Sequence, residues 1–385
     1  MTILSSRSLM NVSLFLSSAV LSLALAEGLL RLFPSVLPAG LQKELQTVPE
    51  DLGVSHPYIG HLHKPNSTGV VWGDDFEAVH HTDNHGFRNA WPWPERAEIV
   101  AVGDSLIFGF GVEDDQAWPA ILDKALPQIR VVNLGLLVAG TQQYLRIYET
   151  FGMPLHPQVL LVGFFAGNDF DDAGLFERWL KSGAGGNYAV WRNFGRGRRF
   201  SLRSPIHSIR IELRLHSYVY NLWSYGRNVY RSWLSSEPKV LRFEDGTQLH
   251  LTPTLLMSHT EGAQPDRSEF ELVLRDLQTL HSIANENGTH VLILFQPTKE
   301  EIYMPFVGEV APDPTGPLRA ALENLDIPFL DLAESFRQQA AAGERLFLTV
   351  DGHPNARGYA LIAEAVLSHL KHNAHQYGLE IAEKD

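Results

Sequence analysis

IVAVGDS, residues 99–105, is a short apolar run that breaks at once into glycine and two small polar residues. An apolar run without polar alternation fits a strand buried on both faces, and Gly-Asp-Ser is a chain-turning break. The same kind of run recurs downstream as RVVNL (130–134), VLLVGFF (159–165), HVLILF (290–295) and IPFLDL (327–332). Between these lie helical patterns at 118–126 (WPAILDKAL), 140–151 and 267–286, and another follows Pro354. Apolar strands alternating with helices predict an α/β domain built on a parallel sheet covered on both faces. Such sheets bind ligands beyond the carboxyl ends of their strands. Gly103-Asp104-Ser105, the segment after Asn133, and Gly167-Asn168-Asp169 all leave strands at that edge.

Bulk properties narrow the function. The chain has 385 residues and a formal net charge of −13, which argues against nucleic acid as a partner. It has no cysteine, which excludes disulfides and thiolate chemistry. Ser8 to Ala26 carries no charge, follows Arg7 and has the length of a bilayer span. Ala24-Leu25-Ala26 could be a signal-peptidase site, but EGLLRLF continues the apolar pattern, which favours an uncleaved anchor. Arg7 ahead of the run places the body outside the cytoplasm, in the periplasm or at the cell surface. The expected organisation is an anchor or signal over 1–33, a linker and irregular lead-in over 34–83, and a main domain over 84–373. That domain carries an insertion or lid at 171–265, and a tail runs over 374–385.

Alone, Gly-Asp-Ser cannot separate a nucleophile from a turn. A serine nucleophile needs a base, and the base needs a group that fixes its tautomer. His353, in DGHPN (351–355) just ahead of the last helix, is the candidate base, with Asp351 two residues earlier as its orienter. An oxyanion needs aimed donors. The candidates are the Asn168 amide, the Ser105 N–H, and an N–H from Val138, Ala139 or Gly140.

With VGDS (102–105), NLGLLVAGT (133–141), AGND (166–169) and DGHPN (351–355) in this order, the chain resembles the SGNH, or GDSL, hydrolase family. TDNHGFR (82–88) is similar to the lead-in strand of its membrane-anchored bacterial members. The resemblance implies a flavodoxin-like three-layer α/β/α sandwich. It also implies Ser105 as nucleophile, His353 as base, Asp351 as its orienter and Asn168 as an oxyanion donor. The chain departs from the family's pattern at Val138, where a glycine is usual, at Ala166, also a usual glycine, and in the D-x-H spacing of its last block.

The function expected is therefore a serine hydrolase of a carboxylic ester, acyl or acetyl, on a small-molecule, lipid or glycan substrate, without metal or organic cofactor. Two other readings stand beside it: an O-acyltransferase or acetyl esterase tailoring an exported polysaccharide, and a non-catalytic glycan- or membrane-binding module. His61, His63, His80, His81 and His85 lack the spacing of a closed metal site and read as packing or surface groups. Glu113-Asp114-Asp115 reads as a capping run ahead of the helix at Trp118. Lys181 to Arg231 holds ten Lys/Arg and one acid among many aromatics, and fits either a lid or a surface facing anionic headgroups or glycan.

Overall fold

The computed structural model describes residues 6–38, 41–42, 53–73, 75–89, 92–194, 209, 213, 216–234, 239–251 and 265–381. Residues 50–192 and 238–385 form one compact unit, and residues 1–49 with 193–237 form another.

In the larger unit the five apolar runs are the strands of one sheet: β1 (Ile99–Gly103), β2 (Val131–Gly135), β3 (Val159–Phe165), β4 (His290–Gln296) and β5 (Phe329–Asp331). All pairings are parallel, and the spatial order is β5-β4-β3-β1-β2. This is the 2-1-3-4-5 order of flavodoxin-like sheets, with β1 and β3 adjacent at the switch point.

Why the runs are apolar throughout is visible at β1. Ile99 and Ala101 pack on one face with Trp118, Leu122, Ile362 and Val366. Val100 and Val102 face the opposite way, against Tyr144, Ile147, Leu277 and Leu280. Alternate residues point to opposite faces, so a strand covered on both sides is apolar except where a polar side chain is bonded within the core, as Asn133 of β2 is through Nδ2 to Ile107 O at 2.9 Å.

The helices are α1 (Ser6–Leu32), α2 (Ser105–Phe108), α3 (Trp118–Ala125), α4 (Thr141–Ile147), α5 (Asp169–Lys181), α6 (Tyr188–Phe194), α7 (Tyr218–Leu234), α8 (Arg267–Glu286), α9 (Lys299–Tyr303), α10 (Gly316–Glu323), α11 (Ala333–Ala341) and α12 (Ala356–His372). Residues of α3, α9, α11 and α12 cover one face of the sheet, and those of α4, α5, α8 and α10 cover the other. That makes the three-layer α/β/α sandwich.

Several expectations need correction. The stretch 171–265 is not one lid. Ala173 of α5 belongs to the core beneath the sheet, and Leu249 and Leu251 of a hairpin at 239–251 enter the core on the other face. Only 193–237 leaves the main unit. The lead-in over 53–81 holds two antiparallel hairpins rather than irregular chain. The tail at 374–381 is docked, with Tyr377 and Leu379 buried. The helix expected over 140–151 is α-helical only to Ile147 and then widens into a π turn over Tyr148–Gly152.

The smaller unit contains α1, of which Ser13–Leu32 is long and apolar enough to span a membrane or serve as a signal anchor. Within this unit Glu27 of α1 accepts hydrogen bonds from Ser217 Oγ, Tyr218 N and Val219 N, each at 3.0 Å, at the start of α7. A carboxylate at the open N–H groups of a helix start both satisfies them and complements the helix dipole.

Candidate active site

The sheet order brings β1, β2 and β3 side by side, so their carboxyl ends share one edge. At the end of β1 the side chain of Asp104 accepts from Leu106 N at 2.9 Å and caps α2. This cap starts the helix at Ser105, whose own N–H, being in the first turn, has no partner within the helix. Gly135 on β2 is required by closeness: a Cβ there would lie 2.2 Å from Phe108 N.

The last block of sequence, 248 residues beyond Ser105, returns to it. His353 Nε2 lies 2.7 Å from Ser105 Oγ. His353 Nδ1 lies 2.5 Å from Asp351 Oδ1, which also accepts from the His353 backbone N–H at 2.9 Å. Since an ionised carboxylate only accepts, Nδ1 carries the proton and Nε2 is left to accept from the serine hydroxyl. Burial pushes the Asp351 carboxyl upward, but the hydrogen bonds and charge of His353 outweigh it and hold the group below its ordinary value. The Phe110 ring packs on the imidazole at 4.6 Å between centroids. The His353 side chain remains about one fifth exposed, so a substrate can reach it.

Lys299, which the sequence reading did not single out, fixes the loop that carries this pair. It is buried on α9, and its Nζ donates to Val350 O and Asp351 O, both at 2.9 Å. Leu348 O and Thr349 O stand further off at 3.4 and 3.5 Å. Burial lowers the Lys299 pKa, while the nearby Glu300, Asp351 and Asp75 favour its charged form. Asp75 accepts from Val350 N at 3.0 Å and ties the loop from its other side. The signal available in sequence was a lysine three residues beyond β4, at the same edge as the three polar blocks.

Asn168 stands at the N-cap position of α5 after β3, and its side chain does not bond the helix start. Its Nδ2 donates to Asp172 Oδ2 at 2.9 Å, and the amide also steadies the charge of buried Asp104. Arg192 forks onto Asp172 at 2.5 and 2.6 Å. Beneath lies Asp169, which accepts from Tyr144 Oη at 2.6 Å and Phe165 N at 2.8 Å. Desolvation, with Asp104 close by, pushes the Asp169 carboxyl well above its usual range. This buried acid cluster is also absent from the sequence reading.

The loop after β2 begins beside Ser105, since Leu136 N donates to Gly103 O at 3.0 Å. Of the three N–H candidates on it, that of Gly140 donates to Gln143 Oε1 at 3.2 Å, as part of the cap of α4. It is therefore spent within the helix start. Gly140 is needed there because a Cβ would lie 2.9 Å from Ala173 N of α5. Val138 has φ +61, the left-handed region that glycine enters freely and a β-branched residue rarely does. The backbone shape that a glycine would favour is thus kept by a valine under strain.

Two of the lead-in histidines hold this loop. His61 Nε2 donates to Leu137 O at 2.8 Å, and His63 Nε2 accepts from Leu137 N at 3.3 Å. His63 Nδ1 in turn donates to Gly86 O at 3.1 Å. Burial depresses both, His61 to about 4 and His63 to about 3, so both are neutral near pH 7. His81 pairs with Asp114 at 2.6 Å, His80 packs edge-on to Phe108, and His85 packs on Trp93. Asp114 also pairs with buried Arg88, so Glu113-Asp114-Asp115 does more than cap. Among the described residues no three His, Asp or Glu side chains converge as a metal site would require.

No protein-family model and no curated protein matches the sequence. Solved structures with a similar chain trace include a member of the lipolytic G-D-S-L family from Veillonella parvula, at 14% identity over 71% of this chain and 97% of that one, TM-score 0.37. A GDSL-like lipase from Bacteroides thetaiotaomicron matches at 10% identity over 74% and 93%, TM-score 0.36. A catalytic mutant of an acetylxylan esterase from Geobacillus stearothermophilus matches at 12% identity over 75% and 97%, TM-score 0.35. With identities and scores this low, the chemistry rests on the distances within this chain.

Proposed function

We propose that the chain is a serine hydrolase that cleaves a carboxylic ester, anchored by α1 with its larger unit outside the cytoplasm. The observation that carries this reading is the relay Ser105–His353–Asp351, with contacts of 2.7 and 2.5 Å. Ser105 Oγ attacks the ester carbonyl while His353 Nε2 takes its proton, and Asp351 stabilises the imidazolium that forms. The negative charge that develops on the carbonyl oxygen is met by the Ser105 N–H and by the Asn168 amide, which keeps one N–H on Asp172 and turns the other from Asp104 to the oxyanion. A further N–H from the loop at Val138 or Ala139 completes the set. The alcohol leaves with the proton from His353, and the same base then activates water to discharge the acyl-enzyme.

Asp172 and Arg192 have a positioning role, since they hold the Asn168 side chain from behind. Each of these steps is written with the chain's own side chains and backbone N–H groups, the substrate and water.

The direct check is Ser105→Ala assayed with p-nitrophenyl acetate, together with mass-spectrometric mapping of a fluorophosphonate adduct. Turnover should fall by about 10³-fold or more while the thermal unfolding profile is kept. Turnover persisting in Ser105→Ala, or an adduct on another serine, would end the assignment.

A further inference from the structure

The smaller unit is built with its polarity reversed. In the described part of α7, Asn221 and Ser224 are buried while Trp223 is 57% exposed. Just ahead of α7, Ile209 and Leu213 are exposed as well. On α1 the large apolar side chains face outward, with Phe15 at 72%, Val20 at 67% and Leu21 at 65%. A helix pair stabilised in water turns its apolar stripe inward, as the larger unit does. Here Glu27 joins the helices through polar bonds to Ser217, Tyr218 and Val219 and apolar groups face outward, which is the pattern of packing in lipid.

Glu27 sets the depth of α7. It lies five residues before Leu32, so the start of α7 is tied within about 8 Å of the end of the candidate span. That is the level where hydrocarbon gives way to headgroups, and Trp and Tyr concentrate there. The described start of α7 supplies Tyr218, Tyr220, Trp223 and Tyr225. Two cations stack on these rings: Arg31 over Tyr218 at 5.4 Å and Arg227 over Trp223 at 5.0 Å. Both can cover apolar surface with their stems while keeping the charge at headgroup level.

Charge points the same way. Residues 193–237 contain eight arginines, no lysine and two acids, within a chain of net charge −13. Stretches this basic, next to a membrane span, are attracted to anionic lipid.

We infer that α7 forms, with α1, a membrane-docking module in which α7 lies in the interfacial layer of a bilayer and engages anionic headgroups. This deepens the proposed function, because it rests on the reading of α1 as an anchor. It assigns α7 to the membrane rather than to an active-site lid.

The chain has no cysteine, so a single nitroxide can be placed at will. Gly226→Cys suits α7, because a Cβ there meets nothing within 4 Å. Asp245→Cys, at an exposed hairpin turn of the larger unit, is the aqueous control. The full chain is reconstituted into phosphatidylcholine vesicles with and without phosphatidylglycerol, floated on a density gradient, and probed with a water-soluble nickel relaxant. The label at 226 should be about five-fold less accessible than that at 245, more so with phosphatidylglycerol, and Arg227→Gln should weaken the lipid dependence about five-fold. Flotation with both labels equally wet overturns the inference and leaves the anchor intact. Failure to float overturns the anchor reading, and the inference with it. Protection that appears with a soluble polyuronate but not with phosphatidylglycerol overturns it in favour of an anionic glycan.

Discussion

The two loops that flank Ser105 are held by opposite means. The 348–353 loop is gripped by a charged group: the buried Lys299 ammonium donates into its carbonyl row, and Asp75 accepts from Val350 N. The loop at 136–140 is gripped by neutral ones: His61 and His63 take the carbonyl and the N–H of Leu137. In the proposed mechanism the first loop carries His353 through a charged state without moving, and the second aims N–H groups at a charge that exists only briefly. A fixed cation suits the first task. Two uncharged imidazoles suit the second, because they hold the backbone without drawing the developing charge toward themselves.

The largest expected effect breaks the charged grip. Lys299→Met leaves buried carbonyls without a donor and lets the loop drift, so kcat should fall about 100-fold, with KM changed by less than about two-fold. Steady-state kinetics beside a thermal melt decide whether this is positioning. A lower melting temperature with kcat untouched would mean that Lys299 only stabilises the fold.

The neutral grip should break with acid instead. Unfolded, His61 and His63 titrate near the ordinary value of 6.5, whereas folded they hold out to about 4 and about 3. Below pH 6.5 the unfolded chain binds more protons. The stability they protect is therefore complete above that pH and is lost as pH falls toward the folded values. The slope is about 1.4 kcal/mol per pH unit for each histidine, or about 3 kcal/mol per unit for the pair. Chemical denaturation at pH 7 and pH 5 measures it, and a His61→Gln/His63→Gln variant should flatten the difference. An unchanged slope in that variant would remove the two histidines from the account.

The smallest effect sharpens what the second grip does. Val138→Gly removes the left-handed strain, about 1–2 kcal/mol, and adds back some chain entropy, about 0.5–1 kcal/mol. The net expectation is about 0.5–1 kcal/mol of added stability. A destabilised Val138→Gly would show that the valine side chain contributes packing worth more than its strain costs.

How much of this was legible follows the range of the interactions. Each sheet strand was readable because a strand covered on both faces is apolar along most of its length, as Val159–Phe165 is. That Ser105, Asp351 and His353 come together was readable because a serine nucleophile would require a base and the base an orienter, and local turns carry each of them. Asn168 was legible at the end of β3, but its restraint by Asp172 and Arg192 was not, since α6 supplies Arg192 from outside the motif. Likewise 171–194 and 239–251 looked patternless, because short helices and hairpins that pack on an existing core need little periodicity of their own.

By itself the sequence determined the α/β class, the parallel sheet, the membrane-length helix and the three side chains of the relay. Each is written in a local pattern of polarity or in side-chain chemistry that few residue types supply. Only the tertiary structure decided which loop N–H groups are already spent, as at Gly140, and which buried groups hold the loops, as do Lys299, His61 and His63. It also separated residues 193–237 from the domain whose sequence surrounds them. The physical reason is that a buried lysine or histidine carries no periodic signature. Its role is set by which carbonyl or N–H the fold brings within 3 Å of it, and that partner lies dozens of residues away.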